Sequence, residues 1–426
     1  MQRVPVIIDT DPGVDDIIAI LLAIASPEIE ILGYVTTFGN SNLDASYTNV
    51  LKTYQAIGRH LDRYPEDAGR FPNFRPETPP LLARGTLGPL QGDLHCAEYF
   101  HGTDGLGGID TRHPDLNLKE AFVKDIHRSL HIAEGDGTTT IANLIRSRPP
   151  GSINYIALGP LTNLALLAKK DPEAIARVGR FMIMGGAVDV PGNTTPVAEF
   201  NFFADPFAVK ELICSGENSA LPLDRVLILS LDITTPHELP FPLYTKFVDA
   251  EFVSTQKPSS PDSKPPVTHF TSSFLERTRE IMLEFGKDGM ELHDIAAVWA
   301  ALANPPSLYI GSQDPCPMSE GWRARKRVFD IERTGEITRG MLVVDRRDDA
   351  SAYAPGANRA EVQKLLSEKL HTNDDLWEST SVPARVEVEE KSAKKEPEHG
   401  VWVVTHTPGA EALLRLLLKR VWNAEL

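Results

Sequence analysis

Val4-Pro5-Val6-Ile7-Ile8-Asp9-Thr10-Asp11-Pro12-Gly13-Val14-Asp15-Asp16 runs an apolar, β-branched segment straight into acid. The apolar run predicts a buried parallel strand over residues 4–9. Pro12 and Gly13 turn the chain, and residues 15–26 read as the following helix, stopped by Pro27. Four carboxylates thus fall where a strand ends and a helix begins, the edge at which open α/β sheets bind ligands. Like charges packed this closely raise one another's pKa, so a cation is expected among them. Carboxylate oxygens are hard ligands, which matches Ca2+ or Mg2+. Helix capping accounts for Asp15 and Asp16, but not for four acids around a Pro-Gly turn.

Working outward, residues 29–38 read as a second strand ending in Gly39-Asn40, and residues 42–58 as an amphipathic helix. Alternating strands and helices predict a mostly parallel sheet. Further strands are expected at 152–158, 180–184, 225–231 and 401–405, and helices at 138–146, 162–169, 270–285, 292–303 and 410–422. Asp9, Gly39-Asn40, Gly159, Gly185-Gly186 and Asp232 all come at strand ends, so helical crossovers line them along one sheet edge. The expectation is one α/β domain over residues 1–426: an open, mostly parallel, Rossmann-like sheet with helices on both faces. Insertions are expected at 60–80, 240–268 and 346–400. The Pro/Ser-rich stretch 254–267 reads as a mobile surface segment.

Bulk properties exclude several classes. A formal net charge of −16 repels phosphate backbones, so nucleic acid is not an expected partner. Cys96, Cys214 and Cys316 stand far apart without a CxxC pair, which indicates neither a zinc site nor a disulfide framework. No apolar stretch approaches the roughly 20 residues of a membrane-spanning helix, and the N-terminus lacks the pattern of a secretory leader. A cytoplasmic protein with no membrane partner is the expectation.

Two later constellations carry chemistry. Residues 192–202 hold Asn193, Glu199 and Asn201, side chains that suit sugar hydroxyls; alone they also fit a polar loop. His293-Asp294 opens an apolar helix, where a cap and a surface histidine is the simpler account. His127 and His131 are four apart and fit one helix face, but no HExxH accompanies them. His101, in His101-Gly102-Thr103-Asp104-Gly105, is ambiguous by itself.

Taken in order, Asp9 through Asp16, Phe38-Gly39-Asn40, Gly159-Pro160-Leu161-Thr162-Asn163, Met184-Gly185-Gly186, Asn193 through Asn201 and His293-Asp294 resemble the nucleoside hydrolases of the inosine-uridine type. The resemblance implies hydrolysis of the N-glycosidic bond of ribonucleosides by a Ca2+-bound water. Asp11, Asp16, Asp294 and the main-chain carbonyl of Leu158 match metal ligands. Asp11 matches the general base. Asp15 and Asn40 match ribose contacts, Asp15 at the 2′-hydroxyl. Asn193, Glu199 and Asn201 match groups that bind the 5′- and 3′-hydroxyls, and Met184 and Phe200 flank the sugar. His293 matches a histidine facing the leaving base, a role for an acid because imidazole titrates near neutrality. A homo-oligomer, dimer or tetramer, is also implied, with a small ribonucleoside as partner.

Two rivals remain at this point. An Asp-x-Asp after a first strand also resembles the haloacid-dehalogenase-like phosphohydrolases that use Mg2+. Those want Thr or Val where Gly13 stands, and they leave Glu199 and His293 unexplained. A non-catalytic nucleoside-binding relative is the other.

Overall fold

The first strand, β1 (Val4–Thr10), is an interior strand of a nine-stranded sheet, sixth in its order. The structure is a computed structural model that describes residues 3–214, 216–309, 312–344 and 400–426. In chain order the other strands are β2 (Ile29–Thr36), β3 (Leu81–Arg84), β4 (His131–Ile132), β5 (Asn154–Ala157), β6 (Arg180–Met184), β7 (Val226–Leu229), β8 (Glu238–Pro240), β9 (Gly289–Glu291), β10 (Arg323–Arg327), β11 (Phe329–Ile331), β12 (Leu342–Val344) and β13 (Val401–His406). The main sheet runs β10-β13-β7-β6-β5-β1-β2-β3-β4, and only the β10–β13 pair is antiparallel. The β8–β9 and β11–β12 pairs stand apart from it. From β1 the order proceeds through β2 and β3 on one side and β5, β6 and β7 on the other. That reversal is the switch point of a doubly wound fold, where a crevice opens beyond the carboxyl ends.

Burial explains why the central strands form. Val6, Ile7, Ile8, Tyr155, Ile156, Phe181 and Met182 are all fully buried, as strands covered on both faces require. The first helix, Val14–Ile24, is buried along all but one of its positions and packs on the helix His293–Ala303. Asn73 secures its end: Nδ2 donates to Ala23 O (3.2 Å) in the last turn and to Ser26 O (2.8 Å) just past it. Asn42 caps the next helix, Leu43–Arg63, by accepting from Ala45 N (3.0 Å).

Several expectations need correcting. Residues 60–80 are not simply a loop: the helix continues to Arg63, a 3-10 turn spans Pro65–Arg70, and Phe71 and Phe74 enter the core. The stretch 254–267 is tied down rather than loose. Thr255 donates to Glu280, Ser259 N to Glu276, and buried Lys264 to Asp249 (2.6 Å). His127 lies in a 3-10 turn and His131 in β4, so they share no helix face. Two compact units make up the chain, Met1–Val343 with His399–Leu426, and Val344–Glu398. All described residues except Val344 belong to the first, and the expected insertion at 346–400 lies outside them, Gly400 aside. Among the described residues no helix is long and apolar enough to cross a membrane.

Candidate active site

Around the carboxyl end of β1 the four acids separate into two groups. Asp9 is fully buried within the sheet, accepting from Tyr155 Oη (2.8 Å) and Asn163 Nδ2 (2.9 Å). Burial pushes its carboxyl up to about 7, and those two donors oppose the shift. Asp11, Asp15 and Asp16 turn toward the crevice, where Asp294 joins them from the start of the helix His293–Ala303. One oxygen each from Asp15, Asp16 and Asp294 lies within 4.8 Å of the others.

Asp11 is wedged between strand ends. Its Oδ2 accepts from Asn40 N (2.7 Å), while nothing among the described residues donates to its buried Oδ1. A Cβ on Gly39 or Gly159 would collide with this carboxylate, so the bare α-carbons after β2 and β5 make its space. Asp16 is held more fully. Thr10 Oγ1 donates to one oxygen, and Gly13 N (3.0 Å) and Asn40 Nδ2 (2.7 Å) donate to the other. The side-chain amide of Asn40 is therefore engaged with a carboxylate of the cluster.

Crowding shows in the acid strengths. Burial first, then the charge of Asp16, pushes Asp15 up to about 8. Burial and the neighbouring carboxylates likewise hold Asp11 and Asp294 well above the usual range. Such a cluster is stable only if protonated or paired with positive charge. The donor set is all oxygen, and one buried oxygen has no donor among the described residues. This fits a hard divalent cation.

A cavity of about 630 Å³ opens above the cluster. Its lining includes Asp15, Asn40, Leu158, Met184, Asn193, Glu199, Phe200, Asn201, His293 and Asp294. The sequence-predicted residues thus converge, with Asp11 and Asp16 held in the buried cluster by the bonds just described. One wall is built by the turn after residue 192. Asn193 Oδ1 accepts from Phe200 N (3.0 Å), and Glu199 caps the short helix Phe200–Ala204. Glu199 accepts from Asn201 N (2.8 Å), Gly186 N (2.8 Å) and Phe202 N (3.1 Å), while burial raises its carboxyl. Asn201 Nδ2 donates to Leu158 O (2.6 Å), placing that carbonyl beside the cavity.

The histidines depart from expectation in one respect. His293 Nδ1 lies 2.8 Å from Thr234 Oγ1, and burial lowers its pKa to about 4. It is a neutral imidazole near pH 7, not a cationic acid. His101, left open by the sequence, also lines the cavity; its Nδ1 accepts from Val14 N (3.1 Å), and burial lowers it to about 3. Asn49 was not foreseen. Its Nδ2 joins Pro12 O (2.9 Å) to Asp104 O (2.8 Å), fastening the acidic turn to the segment after His101.

This constellation at a switch point agrees with a match to the family of inosine-uridine preferring nucleoside hydrolases over residues 6–390. The chain belongs to that family. It is accordingly a hydrolase of the N-glycosidic bond of ribonucleosides. A probable uridine nucleosidase 2 from rice, Oryza sativa, is 31% identical over 302 residues, covering 70% of this chain and 74% of that one. A pyrimidine-specific ribonucleoside hydrolase, RihA, of Citrobacter koseri is 29% identical over 352 residues, with 81% and 89% covered. Among solved structures, an inosine-guanosine nucleoside hydrolase superposes with a TM-score of 0.64 at 20% identity over the full length of both chains, a likeness of fold. That membership sets the phosphohydrolase alternative aside.

Proposed function

We propose that this nucleoside hydrolase adds water across the C1′–N bond of pyrimidine ribonucleosides, uridine first, with Asp11 as general base and Ca2+ as the ion. The observation that carries the reading is the convergence of Asp11, Asp15, Asp16 and Asp294 at one end of a cavity walled by Glu199 and Asn201. Uridine is put first because the relatives named above are a uridine nucleosidase and a pyrimidine-specific hydrolase.

Asp11, Asp16, Asp294 and Leu158 O are the groups that would hold the ion. Bound Ca2+ would offset the carboxylate charges and polarise the attacking water. Asp11 Oδ1, which has no donor among the described residues, takes the proton as the water oxygen bonds to C1′. Asp15 receives the 2′-hydroxyl, with Asn40 setting the Asp16 carboxylate next to it. Asn193, Glu199 and Asn201 receive the 5′- and 3′-hydroxyls, and Met184 and Phe200 close on the sugar. Positive charge builds on the ribosyl ring as the bond breaks, and the buried carboxylates stabilise it. The electron pair leaves with the base. His293 would support that departure as a neutral N–H donor in the tautomer where Nδ1, 2.8 Å from Thr234 Oγ1, accepts and Nε2 carries the proton. A cytoplasmic homo-oligomer is the setting this reading carries with it.

The test is release of reducing sugar from uridine, inosine and 2′-deoxyuridine after chelation and Ca2+ return. Uridine turnover that disappears with chelator, returns with Ca2+ and is absent for the 2′-deoxy sugar is expected. Uridine binding without ribose release would favour a non-catalytic nucleoside binder.

A further inference from the structure

Away from the cavity, a second group of donors gathers where the segment after His101 meets the helix Pro266–Glu284. His113, Asp115 and His269 each place a ligand atom within 4.8 Å of the other two. The two imidazoles are 3% and 2% exposed, and the Asp115 carboxylate is 41% exposed, so solvent reaches the group from one side. We propose that His113, His269 and Asp115 form a second metal site, for a borderline transition-metal ion such as Zn2+, separate from the carboxylate cluster.

The surroundings have the form that imidazole ligands require. A ligating histidine commonly gives its other ring nitrogen to a carboxylate or another polar group, which fixes its tautomer. His113 Nε2 lies 3.1 Å from Glu276 Oε2, and its Nδ1 has no hydrogen-bond partner among the described residues. His269 Nδ1 lies 2.9 Å from Ser259 Oγ, leaving Nε2 on Asp115 Oδ2 at 3.1 Å. An ion would replace the His269–Asp115 hydrogen bond and keep both outer partners.

Charge decides which ion. Arg112 Nη1 is 2.8 Å from Glu276 Oε2 and 3.3 Å from His113 Nε2, so the buried glutamate is already neutralised. Lys264 is paired with Asp249, and Arg59 binds the main-chain carbonyl of Asp115 (2.8 Å). Asp115 is left as the one carboxylate within the donor group. Affinity must then come from imidazole nitrogen rather than excess negative charge, which suits Zn2+, Ni2+ or Co2+ and disfavours Ca2+. The ion would fasten residues 113–115 to the helix Pro266–Glu284. That helix also carries Met282 into the cavity wall, which His101 lines as well.

The full chain, stripped with chelator and kept in millimolar Ca2+, is titrated with Zn2+ by calorimetry and with Co2+ by visible absorption. One Zn2+ per chain and a Co2+ spectrum typical of nitrogen ligation are expected. His269→Ala and the more conservative Asp115→Asn should each abolish or strongly weaken Zn2+ binding, and Glu276→Gln should weaken it about 10–100-fold through the outer partner of His113. Asp294→Ala should leave it unchanged. Wild-type protein that takes up no Zn2+ in Ca2+, Asp115→Asn protein that binds it as wild type does, or loss of Zn2+ binding in Asp294→Ala would each overturn the proposal.

Discussion

Gly159→Ala is a small change with a large expected effect. Gly159 follows β5 and has no left-handed backbone, so alanine strains nothing locally. Its Cβ, however, would stand 2.5 Å from Oδ1 and 2.8 Å from Cγ of Asp11. Carbon atoms sit comfortably at about 3.5–4.0 Å, so the carboxylate or the strand end must move by about 1 Å. Overpacking of this kind costs about 1–3 kcal/mol of stability. A displacement of that size at Asp11, the proposed general base, should cost about 100-fold in rate. The assay is kcat on uridine with urea unfolding in parallel. Gly69→Ala serves as control, because nothing lies within 4 Å of a Cβ there and it should match wild type in both. If the Asp11 carboxylate is the obstacle, Gly159→Ala should lose most of its stability cost in an Asp11→Ala background, where only the retained Cβ, 3.2 Å from the new methyl, still crowds it. Wild-type kcat in Gly159→Ala, or a stability loss undiminished after Asp11→Ala, would refute the reasoning.

Other outcomes follow from the same contacts. Ile18→Ala, at a fully buried position of the first helix, should cost about 2–5 kcal/mol in urea unfolding with its slope unchanged. Asp136 caps the helix Gly137–Arg146 through Thr139 N (3.0 Å), so Asp136→Ala should cost about 1 kcal/mol at pH 7. Its hydrogen bond with Lys170 holds the Asp136 carboxyl down at about 2, below its unfolded value. The stabilisation is therefore complete above the unfolded pKa and lost as pH falls toward 2, and the gap between wild type and Asp136→Ala should close over that range. Asn49→Ala, which unties the acidic turn from Asp104, should lower kcat on uridine more than it lowers the urea midpoint; the opposite ordering would make Asn49 a packing residue only.

How much of this was legible depends on where each signal resides. β1, β2, β5, β6, β7 and β13 are covered on both faces and read as continuous apolar runs. β10 is a polar edge strand, Arg323-Ala324-Arg325-Lys326-Arg327, and nothing in that composition suggests sheet pairing. β3 and β4 are short, and β4 is two exposed residues. The stretch 254–267 looked loose because Pro and Ser dominate it. What holds it is Asp249, Glu276 and Glu280, partners that composition within the stretch cannot reveal.

The site divides along the same line. Asp11, Asp15 and Asp16 are neighbours in sequence, so their mutual repulsion could be read directly, and with it the need for a cation. The residues that aim them are remote. Asn40 stands 29 residues from Asp11, and Asn49 joins main-chain atoms of residues 12 and 104. Asp9 shows the limit of adjacency. It lies two residues from Asp11 and has the same chemistry, yet Tyr155 and Asn163, each about 150 residues away, draw it into the sheet as a tie between β1 and its neighbours. His293 shows a second limit. Its position beside Asp294 was visible, but its protonation was not, because burial by residues from several elements determines which form exists near pH 7. Local sequence identifies charges that must be neutralised, and the closure of distant strands decides which of them face the substrate.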